Sequence, residues 1–434
     1  NIEADKAFTI TEPKATPPAY QKPVKPMPMY ANVDSPSLGS IKHVEKSYDD
    51  YARQPLLPYQ HSLLGPGLAW ADVDGDGDQD FYRSHASGAS GRIYLNEGRA
   101  NFADAGTTPF EAHADSEDLA PLFFDADLDG DPDLYVVSGG VECEPGDPLL
   151  RDRLYLNDGT GKFSTAPAGT LPDLRDSGSS VVAADIDRDG DLDLFVGGRV
   201  IPGAYPETPS SRLLRNDSQP GKPKFTEVTS ETAGLEQAGL VTGALWSDAN
   251  GDGWIDLLVA CEWGPVKIFL NNKKGTLAEA TEAAGLAQHL GWWNGISGAD
   301  LDGDGDIDYV VTNMGLNTPY KATVEKPELL YYGDLDGSGK KQIVEAKFEN
   351  GICYPRRGFS CSSSAMPALR SKLKTFHNFA SSTLSELYSD TRLSKATRFE
   401  ANTLASSVLI NDGNAKFTIT PLPRAAQVSP AFGV

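Results

Sequence analysis

One arrangement of apolar and polar positions recurs along the chain. A short apolar strand runs into a loop in which Asp alternates with other residues around a Gly. A second apolar strand, a variable stretch and a strand ending in Asn and turn residues follow, and then a Phe or Leu. The first copy reads Leu68 to Ala71, DVDGDGDQD over 72–80 and IYLNEGRANF over 93–102. Further loops start at Asp125, Asp185, Asp248 and Asp300, with closing strands at 154–163, 213–225 and 268–277. A degenerate sixth loop, DLDGSGKKQ, starts at Asp334, and VLINDGNAKF over 408–417 is expected to close that unit after a long insertion. Loop starts lie 53, 60, 63, 52 and 34 residues apart. Short strands at such a period predict an all-β protein built of four-stranded propeller blades. The Asn-Asp-Gly steps are hairpin turns, because those residues tolerate positive φ. Brief apolar runs such as Leu194–Val196 and Leu257–Val259 suit strands covered on both faces. Ala431–Val434 reads as the first strand of a further unit, and Ile41–Val44 as that unit's outermost strand. The expectation is a seven-bladed-type β-propeller with six complete blades and a partial seventh. Residues 1–38 are expected to form a Pro-rich tether ahead of a propeller over 39–434. An insertion at about 350–405 carries helix-like stretches over 367–379 and 382–388.

Charge sharpens this picture. The 434 residues sum to −23, and much of the acid sits in the alternating loops, where carboxylates repel unless a cation lies among them. An acidic chain of this kind offers little to neutralise phosphates, which argues against nucleic acid as a partner. No apolar run is long enough to form a transmembrane helix. The spacing D-x-D-x-D-G-x-x-D lets side chains at positions one, three, five and nine converge on one ion, with a backbone carbonyl from position seven. The Gly at position six permits the sharp turn. Such sites offer only hard oxygen donors, which is calcium chemistry. The predicted metal-site residues are Asp72, Asp74, Asp76, Asp78 and Asp80; Asp125, Asp127, Asp129, Asp131 and Asp133; Asp185, Asp187, Asp189, Asp191 and Asp193; Asp248, Asn250, Asp252, Trp254 and Asp256; and Asp300, Asp302, Asp304, Asp306 and Asp308. The sixth loop keeps Asp334 and Asp336 but has Ser338 and Gln342 at positions five and nine. Millimolar extracellular calcium would fill such sites, so the chain is expected to be secreted, periplasmic or anchored at the cell surface.

These loops, followed by the Leu-Asn-Asp-Gly turn and Phe, resemble FG-GAP/VCBS repeats, the calcium blades also found in integrin α-chains. More narrowly, Phe123–Gly140, Ala244–Val259, Gly291–Asp306 and Glu400–Val434 are similar to the ASPIC/UnbV and cartilage-acidic-protein group. The resemblance covers roughly residues 40–434. It implies a calcium-bound propeller, secreted or surface-anchored, and leaves the ligand open.

In a four-stranded blade the Asp loop joins the first two strands, so the loop joining the second and third must lie on the opposite face. The long variable loops fall there. They gather Glu142, Arg199, Glu262, Trp263, Trp292, Trp293, Asn294, Asn313 and Asn317 as candidate ligand-binding residues, beneath an expected helical cap. Trp beside Asn and carboxylate suits a sugar or a peptide. The same residues also fit a purely structural account, with Trp292 and Trp293 filling gaps between blades and Arg199 paired with Glu142. His61, His85 and His289 are placed on this face as well. No GxSxG, HExxH, P-loop or GxGxxG motif occurs. Three readings follow. The first is a module binding a protein or glycan. The second is a subunit of a larger exported or surface complex, whose partner completes the seventh blade. The third is a polysaccharide lyase or hydrolase working beneath the cap. Cys353 and Cys361 are close enough in sequence for a short disulfide loop. Asn216-Asp217-Ser218 is a glycosylation sequon.

Overall fold

The computed structural model describes residues 42–99 and 101–433. The Pro-rich tether, Ile41 and Val434 lie outside the described residues. The chain divides into units Asn1–Ser40 and Ile41–Val434, and the second is described here. It opens with one helical turn, α1 (Asp50–Arg53), and continues into antiparallel sheets in chain order. Sheet one is β1 (Leu68–Ala71), β2 (Asp80–Arg83), β3 (Arg92–Asn96) and β4 (Phe102–Asp104). Sheet two is β5 (Glu117–Phe124), β6 (Asp133–Gly139), β7 (Arg153–Asn157) and β8 (Phe163–Thr165). Sheet three is β9 (Ser177–Ala184), β10 (Asp193–Val200), β11 (Arg212–Asn216) and β12 (Phe225–Glu227). Sheet four is β13 (Leu240–Ser247), β14 (Asp256–Gly264), β15 (Lys267–Asn271) and β16 (Leu277–Glu279), with a short β17 (Gly291–Trp292) paired to the end of β14.

The fifth unit departs from the sequence expectation. After β18 (Gly295–Ala299) and β19 (Asp308–Thr312) the chain leaves the sheet. It builds β20 (Glu328–Gly333), β21 (Gln342–Glu349) and β22 (Ile352–Pro355). Five short helices follow: α2 (Phe359–Ala365), α3 (Ala368–Leu373), α4 (Phe376–Ala380), α5 (Leu384–Tyr388) and α6 (Asp390–Leu393). The segment then adds β23 (Thr397–Ala401) and returns as β24 (Ser407–Asn411) and β25 (Phe417–Pro421). Sheet five is β18-β19-β24-β25, and the sixth sheet, β22-β21-β20-β23, is nested inside it. The strand over 408–417 therefore closes the fifth unit, not the sixth. The physical reason is a carboxylate tie. Asp308 accepts from the Asn411 backbone N–H at 2.8 Å, as Asp133 does from Asn157. Gln342 has no such oxygen to spare: its Oε1 accepts from the Leu335 N–H and its amide donates to Asp336 and Ser338.

Successive sheets pack with β1 beside β5, β5 beside β9, β9 beside β13 and β13 beside β18. Strands β6 and β10 are buried along their whole length and β14 almost so, as continuous apolar runs require. Between sheets four and five, for example, Leu258 and Ile268 meet Tyr309, Val311 and Leu409. Neither 42–49 nor 430–433 forms a strand, so the expected pieces of a further blade are not paired as one. Ala431 nevertheless lies against sheet five, its carbonyl accepting from Asn294 Nδ2 at 3.0 Å. All four cysteines are free, with Cys353 on β22 and Cys361 exposed on α2, so the expected disulfide is absent. Asn216 is fully buried, which places the sequon's acceptor amide out of reach of a glycosylating enzyme in the folded chain.

In sheets two, four and five the Asn that ends the third strand also ties the sheet to the preceding unit. Asn157, Asn271 and Asn411 donate from Nδ2 to the carbonyls of Val73, Ile186 and Ala249, each at 2.8 Å and each in the preceding sheet. In sheet three the Ser218 hydroxyl makes the equivalent bond to Ala126 O. These bonds are buried, and leaving their partners unsatisfied costs about 1–3 kcal/mol. Asn271→Ala is therefore expected to lower unfolding free energy by about that much. Asn96→Ala should cost well under about 1 kcal/mol, because Asn96 Nδ2 reaches only its own loop at Gln79 O. Denaturant titration of both variants checks the contrast.

Candidate functional site

The Asp loops share a common geometry. At position one, Asp72, Asp185, Asp300 and Asp334 accept from the position-four and position-six N–H groups, and Asp125 and Asp248 from those of positions five and six. Gly at position six has positive φ, 92° at Gly77 and 102° at Gly190, where a side chain would be strained. Position nine is a buried clamp. Asp80, Asp133, Asp193, Asp256 and Asp308 each accept from the position-two N–H with one oxygen and from the third-strand Asn N–H with the other.

Carboxylate oxygens converge within 4.8 Å in four loops: Asp72, Asp74 and Asp80; Asp125, Asp127 and Asp133; Asp185, Asp187 and Asp189; Asp300, Asp302 and Asp304. The fourth loop has Asn250 in place of one carboxylate, and its Asp252 pairs with Lys273 at 3.3 Å. Three position-seven side chains turn aside: Asp131 lies against the Gly159 turn, Asp306 against Gly413, and Trp254 takes the Arg188 guanidinium over its ring at 4.2 Å. Oδ1 of Asp127 and Oδ1 of Asp191 are buried without a hydrogen-bond partner. An all-oxygen donor set with unsatisfied buried oxygens fits a hard divalent cation.

Burial pushes the carboxyls of Asp133 and Asp193 up to about 7 and that of Asp256 to about 6, against backbone N–H bonds that pull them down. Asp127 and Asp187 are raised by burial and then by neighbouring carboxylates. A raised folded pKa means the folded chain holds protons the unfolded chain releases. That stabilisation is complete below the unfolded value near about 4 and is lost as pH rises through the folded values. The metal-free chain is thus expected to melt at progressively lower temperature from pH 5 to pH 8, while calcium flattens the curve. Thermal melts in chelator and in calcium test this, and parallel curves would contradict it.

At the ends of the strands a cavity of about 720 Å³ opens. Leu119 of β5, Ser179 of β9, Thr242 of β13 and Asn294 ahead of β18 contribute to it, together with the segment preceding β1. In its wall Arg199 and Glu262 pair at 2.7 Å, both nearly fully buried. The Tyr59 hydroxyl donates to Glu262 Oε2 at 2.6 Å and accepts from Arg199. The Tyr205 hydroxyl donates to Glu262 Oε1 and accepts from Trp263 Nε1. Burial works to raise the Glu262 carboxyl, but Arg199, His61 and the two hydroxyls overcome it and hold it below its ordinary range. His61, packed on both tyrosine rings, is pushed down to about 4 by burial and by Arg199. At neutral pH the wall therefore carries one cation and one anion, which cancel. Trp263 sits at φ 58°, a conformation rare for a bulky side chain. Trp292 is wedged edge-on between Trp263 and Tyr320, with ring centroids 4.7 and 4.5 Å away.

The nested sheet buttresses this wall. The Tyr320 hydroxyl bonds Glu345 of β21, Arg356 stacks on the Tyr320 ring at 4.0 Å, and Arg357 donates to Leu57 O. Trp263, Trp292 and Tyr205 share one apolar core with Leu330 of β20 and Leu369 of α3.

Of the nine candidate ligand residues, Arg199, Glu262, Trp263, Trp292 and Asn294 come together at the cavity. Trp293 is instead fully buried between sheets four and five. Asn313 is a buried strut bonded to Thr403 O, and Asn317 bonds Val428 O at the surface. Glu142 does not pair with Arg199; its near charges are Lys46, Glu45 and Asp50, and Glu262 takes its place. Sequence reading missed Tyr59, Tyr205 and Tyr320, which no local pattern marks, because Tyr59 meets Glu262 across 203 residues. Among the three histidines placed on this face, only His61 adjoins the buried network.

FG-GAP-like repeats match over residues 72–136, 145–196 and 248–311, spans that hold all five full Asp loops. No curated protein matches the chain. Among solved structures, an Agrocybe aegerita lectin is 17% identical, covering 67% of this chain and 70% of its own with a TM-score of 0.37. The Vibrio cholerae biofilm matrix protein Bap1 is 11% identical, covering 82% and 66%, at 0.28. A Bacillus licheniformis rhamnogalacturonan lyase is 13% identical, covering 81% and 67%, at 0.31. Likeness at this level says nothing about a ligand.

Proposed function

We propose that this FG-GAP-repeat chain is a calcium-stiffened, extracellular propeller-type module that binds a protein or glycan through the cavity at the ends of its strands. One observation carries the reading: separate sheets converge on an aromatic-walled cavity around a buried Arg199–Glu262 pair. Concave apolar sites with a few placed polar groups are what small ligands and side-chain anchors fill. When bound, calcium supplies rigidity: it holds together the loop carboxylates, chiefly Asp at positions one and three, and so fixes the strands that end at the cavity. Secreted, periplasmic or surface placement follows from the calcium concentration such loops need.

The test screens the immobilised chain against glycans and extracellular proteins, with calcium and with chelator. A calcium-dependent ligand lost in Ser179→Trp, which projects bulk into the cavity, supports the proposal. A ligand indifferent to that substitution places binding elsewhere.

A second reading, a subunit of a larger exported assembly, rests on one contrast. The position-two residues Val73, Ala126, Ile186 and Ala249 are at most 2 % exposed beneath the next sheet, whereas Leu301 of sheet five is 48 % exposed. Trp70 on the outer face of sheet one is likewise 52 % exposed. A stable partner from the native host, lost in Leu301→Asp but kept in Ser179→Trp, would favour this reading over the first.

A further inference from the structure

The cavity's polar atoms discriminate between ligand classes, on the premise that it is the binding site proposed above. Glu262 spends both oxygens inside the wall, on Tyr205, Tyr59 and Arg199. Ser179 and Thr242 spend their hydroxyls on the Val241 and Trp293 carbonyls. Two buried nitrogens are left over, Arg199 Nη1 and Trp292 Nε1, neither with a hydrogen-bond partner. Both belong to cavity-lining side chains, and both can only donate. A buried donor without an acceptor is costly, so the site is completed by a ligand that brings acceptor oxygens.

Charge narrows the class. Arg199 is already neutralised by Glu262 at 2.7 Å. A carboxylate entering the cavity would add an uncompensated buried anion, and an amine an uncompensated cation. The cavity-lining strands β5, β9 and β13 are edge strands of their sheets, so an extended peptide added to such an edge is the competing occupant that the titration below tests. The trio Trp263, Trp292 and Tyr320 presents rigid aromatic surface held by the nested sheet. We infer that the cavity takes an uncharged saccharide, its oxygens accepting from Arg199 and Trp292 and its C–H faces lying on the aromatic trio.

The test titrates the chain in millimolar calcium with neutral oligosaccharides, hexuronate oligosaccharides and uncharged peptides, reading heat and tryptophan emission. Trp292→Phe keeps an aromatic ring but removes the indole donor together with part of the buried ring system, so the melting temperature should fall somewhat, and affinity for the neutral saccharide, compared at a temperature where both chains are folded, should fall roughly tenfold. Preference for a hexuronate or a peptide at the cavity, or a Trp292→Phe variant binding as tightly as wild type, overturns the inference and leaves the binding module standing. Absence of any ligand sensitive to Ser179→Trp overturns both.

Discussion

Removing calcium is expected to lower the chain's unfolding midpoint by on the order of 10 °C. An ion that binds only the folded state stabilises it by RT ln(1 + [L]/Kd), about 1.4 kcal/mol per site at ten times Kd. Five full loops at that occupancy together contribute about 7 kcal/mol. The geometry gives the effect its sign. Each loop gathers carboxylates that repel one another in the metal-free chain, and four loops bring three of them within 4.8 Å. The loss should be graded by loop. Asp125→Asn, in a loop whose Asp127 oxygen has no hydrogen-bond partner, should remove more calcium-dependent stability than Asp334→Asn in the degenerate loop. Calorimetry of both variants with and without chelator measures this. A metal-free sample melting with the loaded one would end the calcium reading.

The second large effect lies in the cavity wall. Glu262→Ala is expected to destabilise the chain by about 3–5 kcal/mol, because it leaves Arg199 charged and unpaired in a buried site. It also strands the hydroxyls of Tyr59 and Tyr205, which donate to that carboxylate. The double substitution Arg199→Met with Glu262→Leu should recover most of the loss, since a buried pair replaced by apolar residues of similar volume is often neutral. If the double variant is as unstable as the single, the network stabilises more than its charges do. The pH dependence has a defined direction. The Glu262 carboxyl lies below its ordinary range in the folded chain. Its contribution is therefore present above the unfolded value near about 4.3 and fades as pH falls through the lower folded value. Wild type should lose this stability only in strong acid, and Glu262→Ala should show no such step. Denaturant unfolding across pH, with wild type and both variants in calcium, checks it.

Much of the architecture was legible because it is local. The alternation of Asp around Gly, the short apolar runs on either side and the Asn that ends the third strand all act within a few residues. Asp72 and Gly77 make a loop whatever lies elsewhere, since their bond spans five positions. The same locality made the sixth loop look like a sixth blade. Locally it is one, yet it is nested in the fifth, because which strand joins β19 depends on whether a loop's last residue can hold a distant Asn. Asp308 can and Gln342 cannot, and that comparison spans 103 residues.

The cavity divides the same way. Sequence reasoning could put Arg199, Glu262, Trp263 and Trp292 on one face by counting strands and loops, since strand direction fixes which end a loop occupies. It could not choose Glu262 over Glu142 as the partner of Arg199, separate Trp292 at the cavity from Trp293 in the core, or bring in Tyr59. Those outcomes depend on packing between segments up to 203 residues apart, where the decisive terms are desolvation and the matching of buried donors to acceptors. By itself the chain determined its loops, turns and strand periods, because short-range hydrogen bonds and φ preferences need no distant partner. Only the tertiary structure decided pairing, nesting and the cavity, because each is a competition among remote groups for the same buried space.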